Sequence, residues 1–399
     1  MEGSAGRPSR PPEARRPKPA ALDRRRFLIL TGGAAAYTIM RPHLAWARRA
    51  RGDLLTLQPW SLPATPGATS IDIARTLIGA AVLAPSHWNT QPWRFEAEGP
   101  AIRIVADAQR SLPVIDPDQR SLMISLGAAL ENLLIAARAY GLRPAATYFP
   151  YGGARGVVAE MTWASGDAHR DRAMLAAIPD RRTNRREYDG RGVYLQNRAQ
   201  LTAQIPEGLR LHWVDDRATL GRLADAAHDA VRARVLDARA QAEQFGWMRF
   251  GDDEARRRGD GVTADALELG GPARWLAGRY FSPRSWFLRF GAQAAAKQAH
   301  DGIKSSGAVA LLTTLRGGEA QWLAAGQAYE RLALTATTLG IAHQPMNEPI
   351  ETALTRGEVL RRFGASDEQP LMLVRLGHAK RPPASVRRSV AVVASFRNS

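Results

Sequence analysis

The sequence predicts an α+β protein built as two tandem halves, with one helical insertion carried only by the second. Two observations point to the halves. The runs SLGAALENLLIAARAYGL (residues 125–142) and AAGQAYERLALTATTLGI (residues 324–341) share small residues at their start, a central Glu, an Ala/Leu-rich second half and a Gly-apolar stop. Matched positions in them stand 199 residues apart, half of the 399-residue chain, as a duplication would leave them; chance likeness of Ala-rich helices is the competing explanation. A third observation sets the halves apart. Residues 241–298 have no counterpart in the first half and carry Trp247, Trp275, Tyr280, Phe281, Trp286 and Phe290 among many charges, so they read as a helical lid that covers something.

The elements follow in order. Residues 71–83 read as a helix that stops at Pro85, because proline removes a backbone donor and pushes Ala84 out of helical geometry. A rigid polar loop follows, and Trp93 and Phe95 anchor a return strand before a second strand at 101–106. Residues 121–140 form a long helix closed by Gly141 and Pro144. Residues 146–151 and 156–163 look like a strand pair. A second start appears near Ile178, then a strand at 209–214, helical sequence at 218–242, a strand at 305–315, a helix at 319–339 ended by Gly340, and a strand at 371–376. The expected division is a leader at 1–47, a linker at 48–69, a first half at 70–175 and a second half at 176–399 that includes the insertion at 241–298.

Composition limits the chemistry. A hydrophobic content of 45% suits a large globular core. With no cysteine, disulfides, thiolate metal sites, iron–sulfur clusters, cysteine nucleophiles and lipoprotein attachment are excluded. No second histidine stands at ligand spacing from His87 and no HExxH run occurs, so no metal site is expected. Glycine patterns for a dinucleotide fold, a P-loop or a nucleophile elbow are also missing.

The first residues address the chain. Residues 1–22 are rich in Pro, Arg, Ala and Ser and cannot bury a core. Arg24-Arg25-Arg26-Phe27-Leu28, an uncharged segment at 27–40 and Ala45-Trp46-Ala47 follow the grammar of an export signal. The apolar segment is too short to span a bilayer comfortably. Two arginines before x-Phe-Leu resemble the twin-arginine signal of proteins exported folded, which implies the twin-arginine translocase as a partner and a periplasmic location. An uncleaved N-terminal anchor is the alternative; after cleavage no stable membrane insertion is expected. The leader holds nine basic and three acidic side chains, so residues from Arg48 onward keep +11 of the net +17. That charge attracts anions. The arginines are paired or scattered without interleaved aromatics, so a small phosphorylated ligand explains them more simply than nucleic acid.

Three motifs then carry a resemblance: APSHWNTQPWRF (84–95), RRTNRREY (181–188) and PPASVRRSV (382–390) after the strand LMLVRLGHA. They resemble the PSxxNxQPWxF, RRSxRxF and C-terminal arginine elements of the nitroreductase family, FMN-dependent oxidoreductases of α+β fold. In ordinary members the arginine element comes first and two chains share each flavin. Here the order is reversed, which resembles the single-chain duplicated branch: a nitroreductase-like fold with both halves in an intramolecular pseudo-dimer, and hence a plausible monomer.

The resemblance implies that Pro85, Ser86, His87, Asn89 and Gln91 border the ring and ribityl from one half. It implies that Arg181, Arg182, Thr183 and Arg387 or Arg388 hold phosphate and ribityl from the other, with Arg185 facing the N1/O2 edge of the ring. Residues 343–348 (HQPMNE) resemble the strand that passes near N5, which would place Pro345, Met346 and Asn347 there; the glycine usual in the family is replaced by Asn347 and Glu348. The opposite site has no arginine element in the first half. By the same resemblance the chemistry is borne by FMN, in a ping-pong exchange between a small-molecule donor and acceptor, with no catalytic side chain expected. NAD(P)H is the habitual family donor but is not expected in the periplasm. The alternative function is a non-catalytic flavin-binding or vestigial protein.

Overall fold

The computed structural model describes residues 60–152, 156–166, 171–267, 274 and 288–397. The leader and most of the linker lie outside the described residues, as do Trp275, Tyr280, Phe281 and Trp286 of the insertion. The first half opens with α1 (Ser70–Ala81), entered through a capping box in which Thr69 Oγ1 accepts from Asp72 N (3.1 Å) and Asp72 accepts from Thr69 N (3.4 Å). The hairpin β1 (Trp93–Glu98) and β2 (Ala101–Ala106) leads through α2 (Arg120–Ala139) to β3 (Leu142–Tyr148) and β4 (Val157–Ser165). These four strands pair antiparallel in the order β1-β2-β4-β3.

The short α3 (Arg172–Ala177) leads to α4 (Leu195–Thr202) and β5 (Leu209–Val214). The insertion then contributes α5 (Arg217–Leu236), α6 (Ala238–Gly246), β6 (Met248–Arg249), α7 (Asp252–Arg258), β7 (Val262–Thr263) and α8 (Leu288–Lys304). The chain resumes with β8 (Ala308–Thr314), α9 (Glu319–Thr338), β9 (Ala342–Pro345), α10 (Glu348–Glu351), α11 (Ala353–Arg362) and β10 (Gln369–Gly377). The second sheet runs β5-β8-β10-β9, again antiparallel. With α2 matched to α9, the two sheets share one strand order. A final turn of helix, α12 (Val390–Val393), delivers β11 (Ala394–Arg397), which pairs parallel to β1 and carries the C-terminus onto the first sheet.

Helices α2 and α9 lie against each other between the sheets. Nearly every residue of α2 is buried, which is why its sequence is apolar all round. The first core joins α1, the inner face of the first sheet and α2; a second joins α9 to one face of the second sheet, including Ala308, Ala310 and Leu312. The other face, with Val309, Leu311 and Leu373, is covered by α5, α8 and α11. Covered on both sides, β8 is buried along its whole length, and its sequence AVALLTT shows no alternation.

Three boundaries differ from the sequence reading for physical reasons. The strand expected at 146–151 starts at Leu142, because Gly141 (φ +79°) ends the helix and turns the chain at once. Pro144 is tolerated there since β3 pairs only with β4. Helical sequence at 218–242 is two helices, broken at Asp237, whose carboxylate accepts from Arg239 N (2.8 Å) and Ala240 N (3.2 Å). The segment without a first-half counterpart is wider than 241–298: it fills the whole connection from β5 to β8, where the first sheet has only a hairpin at residues 99–100, and its α5 packs along α8.

The α2–α9 crossing rests on two glycines 199 residues apart. A Cβ at Gly127 would lie 2.0 Å from Leu323 O, and one at Gly326 would lie 2.0 Å from Ile124 O. Gly326→Ala therefore forces the helices apart and lowers stability by about 2 kcal/mol or more in chemical denaturation. Gly221→Ala in α5, where nothing lies within 4 Å, gains up to about 1 kcal/mol from helix propensity. Equal midpoints for the two variants would contradict the close crossing.

Candidate functional site

The loop after α1 is bent by an unusual backbone. Trp88, Asn89 and Gln91 all have positive φ (49°, 54° and 51°), a conformation uncommon for side chains with a Cβ. Local bonds hold it: Asn89 N donates to Ser86 O (2.9 Å), Thr90 N to His87 O (3.0 Å) and Gln91 N to Ser86 Oγ (2.9 Å). Trp88 is anchored in a small apolar cluster of Leu112, Ile115, Ala240 and Trp247, the last two from α6 and its end.

The rest of the support comes from the far end of the chain. Because β11 returns to β1, the residues just before it cross the loop. Arg387 donates to Asn89 Oδ1 (2.9 Å), Leu83 O (3.3 Å) and Ala84 O (3.2 Å). Arg388 donates to Gln91 O (2.6 Å) and Trp93 O (2.8 Å), and its backbone N–H to Gln91 Oε1 (2.9 Å). The insertion takes the remaining amides: Asn89 Nδ2 donates to Gly261 O (2.9 Å) and Gln91 Nε2 to Gly259 O (2.7 Å).

The arginine segment is fixed from below. Thr183 bridges to His343 of β9, and Asn184 N donates to His343 O (3.0 Å). Buried Arg375 of β10 donates to Asn184 O (3.2 Å) and Arg186 O (2.7 Å), with its guanidinium 4.0 Å from the Tyr188 ring centroid. Arg181 reaches Leu83 O (3.2 Å), the same carbonyl that Arg387 holds.

Loop and arginines meet at one narrow cleft, which encloses about 40 Å³ and reaches about 430 Å³ when its open mouth is counted. Pro85, Ser86 and Asn89 of the loop line it together with Arg181, Arg182, Thr183 and Arg185, and Arg387, bonded to Asn89, joins the two sets. Gly261, Val262 and Ala266 of the insertion cover it, with Arg185 Nη1 3.5 Å from Ala266 O. Trp60, from the Pro-rich linker, completes the wall: its Nε1 donates to Ser385 O (2.9 Å), and its ring lies 4.1 Å from the Arg182 guanidinium carbon and 5.0 Å from that of Arg387.

The wall is strongly cationic. Burial, then Arg381 and Arg181, push Arg182 down to about 9. Burial, then Arg181 and Arg182, hold Arg387 well below the usual arginine range. Buried Arg181 Nε and Nη1 and Arg387 Nε have no hydrogen-bond partner. Such donors, crowded and unsatisfied, fit an oxyanion with several acceptor oxygens. Behind them Glu330 of α9 is fully buried, its Oε1 3.5 Å from Arg181 Nε. His343, also buried, meets Tyr329 Oη at 3.3 Å; burial and Arg181 push it down to about 3, so it is neutral at ordinary pH.

Six of the residues singled out from sequence do not line this cleft. Gln91 and Arg388 stand behind the loop as its supports. His87 sits beside the carboxyl groups of Asp116 and Glu351 instead. Pro345 ends β9 beside Val374; Met346 is buried in the core under α5; and Asn347 Oδ1 accepts from Leu373 N (3.0 Å). The strand serves the site through His343, whose backbone pairs with the arginine segment. Sequence reasoning missed Trp60 and Glu330; it read the insertion as a cover but singled out none of Gly261, Val262 or Ala266. A lone Trp in a Pro-rich linker gives no periodic signal. Glu330 was visible only as the central Glu of a helix repeat.

No family model matches the chain. A Mycobacterium tuberculosis protein provisionally named an NAD(P)H nitroreductase is 29% identical over 334 residues, covering 82% of this chain and 92% of its own length. A second M. tuberculosis protein of that provisional name is 27% identical over 332 residues, covering 80% of this chain and 94% of its own. Among solved structures, the FMN-dependent nitroreductase NfnB of Mycobacterium smegmatis, in complex with NADPH, is 18% identical, covers 56% of this chain and 98% of its own, and has a TM-score of 0.36. An FMN-bound nitroreductase of Bacteroides fragilis is 14% identical, covering 54% and 92%, with a TM-score of 0.31.

The unsatisfied guanidinium groups predict anion binding in solution. Sulfate raises the melting temperature more than chloride at matched ionic strength; at a hundred times its dissociation constant the gain is about 2.7 kcal/mol. Arg387→Met removes most of that gain. Equal melting in the two salts would count against an anion site.

Proposed function

We propose that the chain is an FMN-dependent oxidoreductase of nitroreductase type, with one flavin per chain in the cleft between residues 85–89 and the arginines. The observation that carries this reading is the meeting of Asn89, Arg181, Arg185 and Arg387 around one cleft, although they are up to 298 positions apart in sequence. The provisional names of the two M. tuberculosis relatives support it. Arg181, Arg182 and Arg387 would hold the phosphate, with Trp60 stacked behind two of them, and Thr183 the ribityl chain. Pro85, Ser86 and Asn89 would border the ring. Bound FMN would supply two-electron transfer, exchanged in turn with a donor and an acceptor.

The protein's own contribution is electrostatic and steric. Arg185 places a permanent cation on the cleft wall, where negative charge gathering on a reduced ring would be stabilised and the potential raised. Val262 and Ala266 exclude water from the covered side. No acid–base side chain is required.

A duplicated origin is part of the proposal. It is supported by the shared strand order and by the two glycines at the helix crossing. A single site per chain is supported by the counterpart of Glu330 in the first half. There Glu131 is held by Arg138 (3.1 Å), Arg331 (3.0 Å) and Gln327 (2.8 Å), so its oxygens are already partnered by the chain.

A second reading, a flavin store without turnover, is favoured by one observation: the insertion is bonded to both loop amides and meets Arg185. Purified protein, reconstituted with FMN, binds one equivalent and turns yellow on the proposed reading; protein that never takes up FMN would overturn both readings. Arg185→Met lowers the two-electron potential by about 30 mV or more, a tenfold loss of preference for the reduced form. A flavin that binds but is reduced by no donor under anaerobic conditions would favour the store.

Export in folded form, with the leader removed after Ala47, is also proposed on the Arg24-Arg25 pattern, and with it a donor other than NAD(P)H. Arg24→Lys combined with Arg25→Lys leaves full-length precursor inside the cell. Mature protein outside despite that change, or fast reduction by NADPH and by no other donor, would overturn this part.

A further inference from the structure

The buried carboxyl group of Glu330 has no role in the reading above. It lies on α9 at the bottom of the cation wall, fully buried, and neither of its oxygens receives a hydrogen bond. The groups facing it come from three directions. Arg181 approaches from the segment after residue 180, its Nε 3.5 Å away and itself without a hydrogen bond. Arg387 faces it from the C-terminal segment, and Glu131 and Asn132 from α2. The Asn132 amide donates to Ala80 O (3.2 Å) and keeps a second N–H on the Glu330 side, where it favours the carboxylate. On its own helix Tyr329 is its neighbour, and His343, behind Arg181, is neutral. A carboxylate in such a place is tolerated only because the arginines are there.

Resting on the phosphate assignment above, we propose that Glu330 is the resident counter-ion of the arginine wall, and that it takes up a proton when a dianion in the cleft replaces it as the partner of Arg181. The balance is simple. In the free protein one carboxylate offsets part of the charge of Arg181 and Arg387. A dianion brings two negative charges to the same guanidinium groups. Their field at Glu330 is then cancelled while burial remains, so the carboxyl group becomes neutral, with the proton taken from solvent. Glu330 thus positions Arg181 in the free protein and releases it to the ligand.

The direction of the pH dependence follows. Burial first, opposed by Arg181, Asn132 and Arg387, sets Glu330 at about 7 in the free protein. Binding raises it further, so uptake is about half a proton at pH 7 and approaches one near pH 8. By linkage, affinity falls as pH rises through this window, by up to about tenfold per pH unit. Arg182, at about 9, is almost fully protonated at pH 7 and adds at most about a tenth of a proton at pH 8.

The test is calorimetric titration of the full chain with FMN and, separately, with sulfate at pH 7 and 8, each in buffers of different ionisation enthalpy. Sulfate stays a dianion across this range. Wild type takes up a proton with both ligands. Glu330→Gln takes up no more than the Arg182 share, loses the pH slope and binds more tightly than wild type at pH 8. In wild type, infrared difference spectra show a protonated carboxyl band on binding that the variant lacks, a signature that a packing defect alone would not produce. FMN binding without proton uptake, or equal uptake in the variant, would overturn the role of Glu330 and leave the flavin reading standing. Sulfate binding with uptake but no FMN binding would overturn the flavin reading and keep Glu330. Failure of both ligands to bind would overturn both.

Discussion

A buried guanidinium must find oxygen acceptors, and this requirement ties the molecule together. Arg387 and Arg388 spend their donors on Leu83, Ala84, Gln91 and Trp93 carbonyls and on Asn89, while Arg375 spends its own on Asn184, Arg186 and Gly302. Each set of bonds immobilises one side of the cleft. The loop can keep three left-handed residues in a span of four because arginines from the other end of the sequence occupy its carbonyls. Of these arginines Arg387 also lines the cleft, so one side chain serves both support and cation wall, and its loss disturbs both.

The insertion makes the two sheets unequal. Its helices α5 and α8 cover the outer face of the second sheet, while its short β6–β7 ribbon and the turns around it close over the cleft. One excursion thus buries core and shapes the site. Its contacts to Asn89 and Gln91 run through backbone carbonyls at Gly259 and Gly261, both with positive φ. At Gly261 a Cβ would lie 2.4 Å from Trp247 O, so the close approach depends on glycine there.

Much of this was legible in the residues. Strands at 101–106 and 209–214 stand where apolar runs between turn residues put them, and the long helices end at Gly141 and Gly340 as their sequences require. The polar loop and the arginine cluster were readable because proline, asparagine and paired arginines are rare together without a reason. Long-range choices were not. Nothing local says that Arg387 faces the cleft while its neighbour Arg388 turns to the loop. Met346 and Asn347 look like site residues until the helix above them claims the one and β10 the other. Trp60 acquires meaning only beside Arg182, and β11 is four residues whose pairing is decided by where α12 points them.

The parallel pairing of β11 with β1 has a bearing on how the molecule is made. Strand β1 leaves the ribosome some three hundred residues before the segment that completes its sheet and clamps its loop. Until residues 387 and 388 have emerged, the early loop lacks these guanidinium partners. A polypeptide that stops before residue 387 accordingly presents an incomplete cavity wall. Closure of the site thereby waits on residues 387–397 having been made.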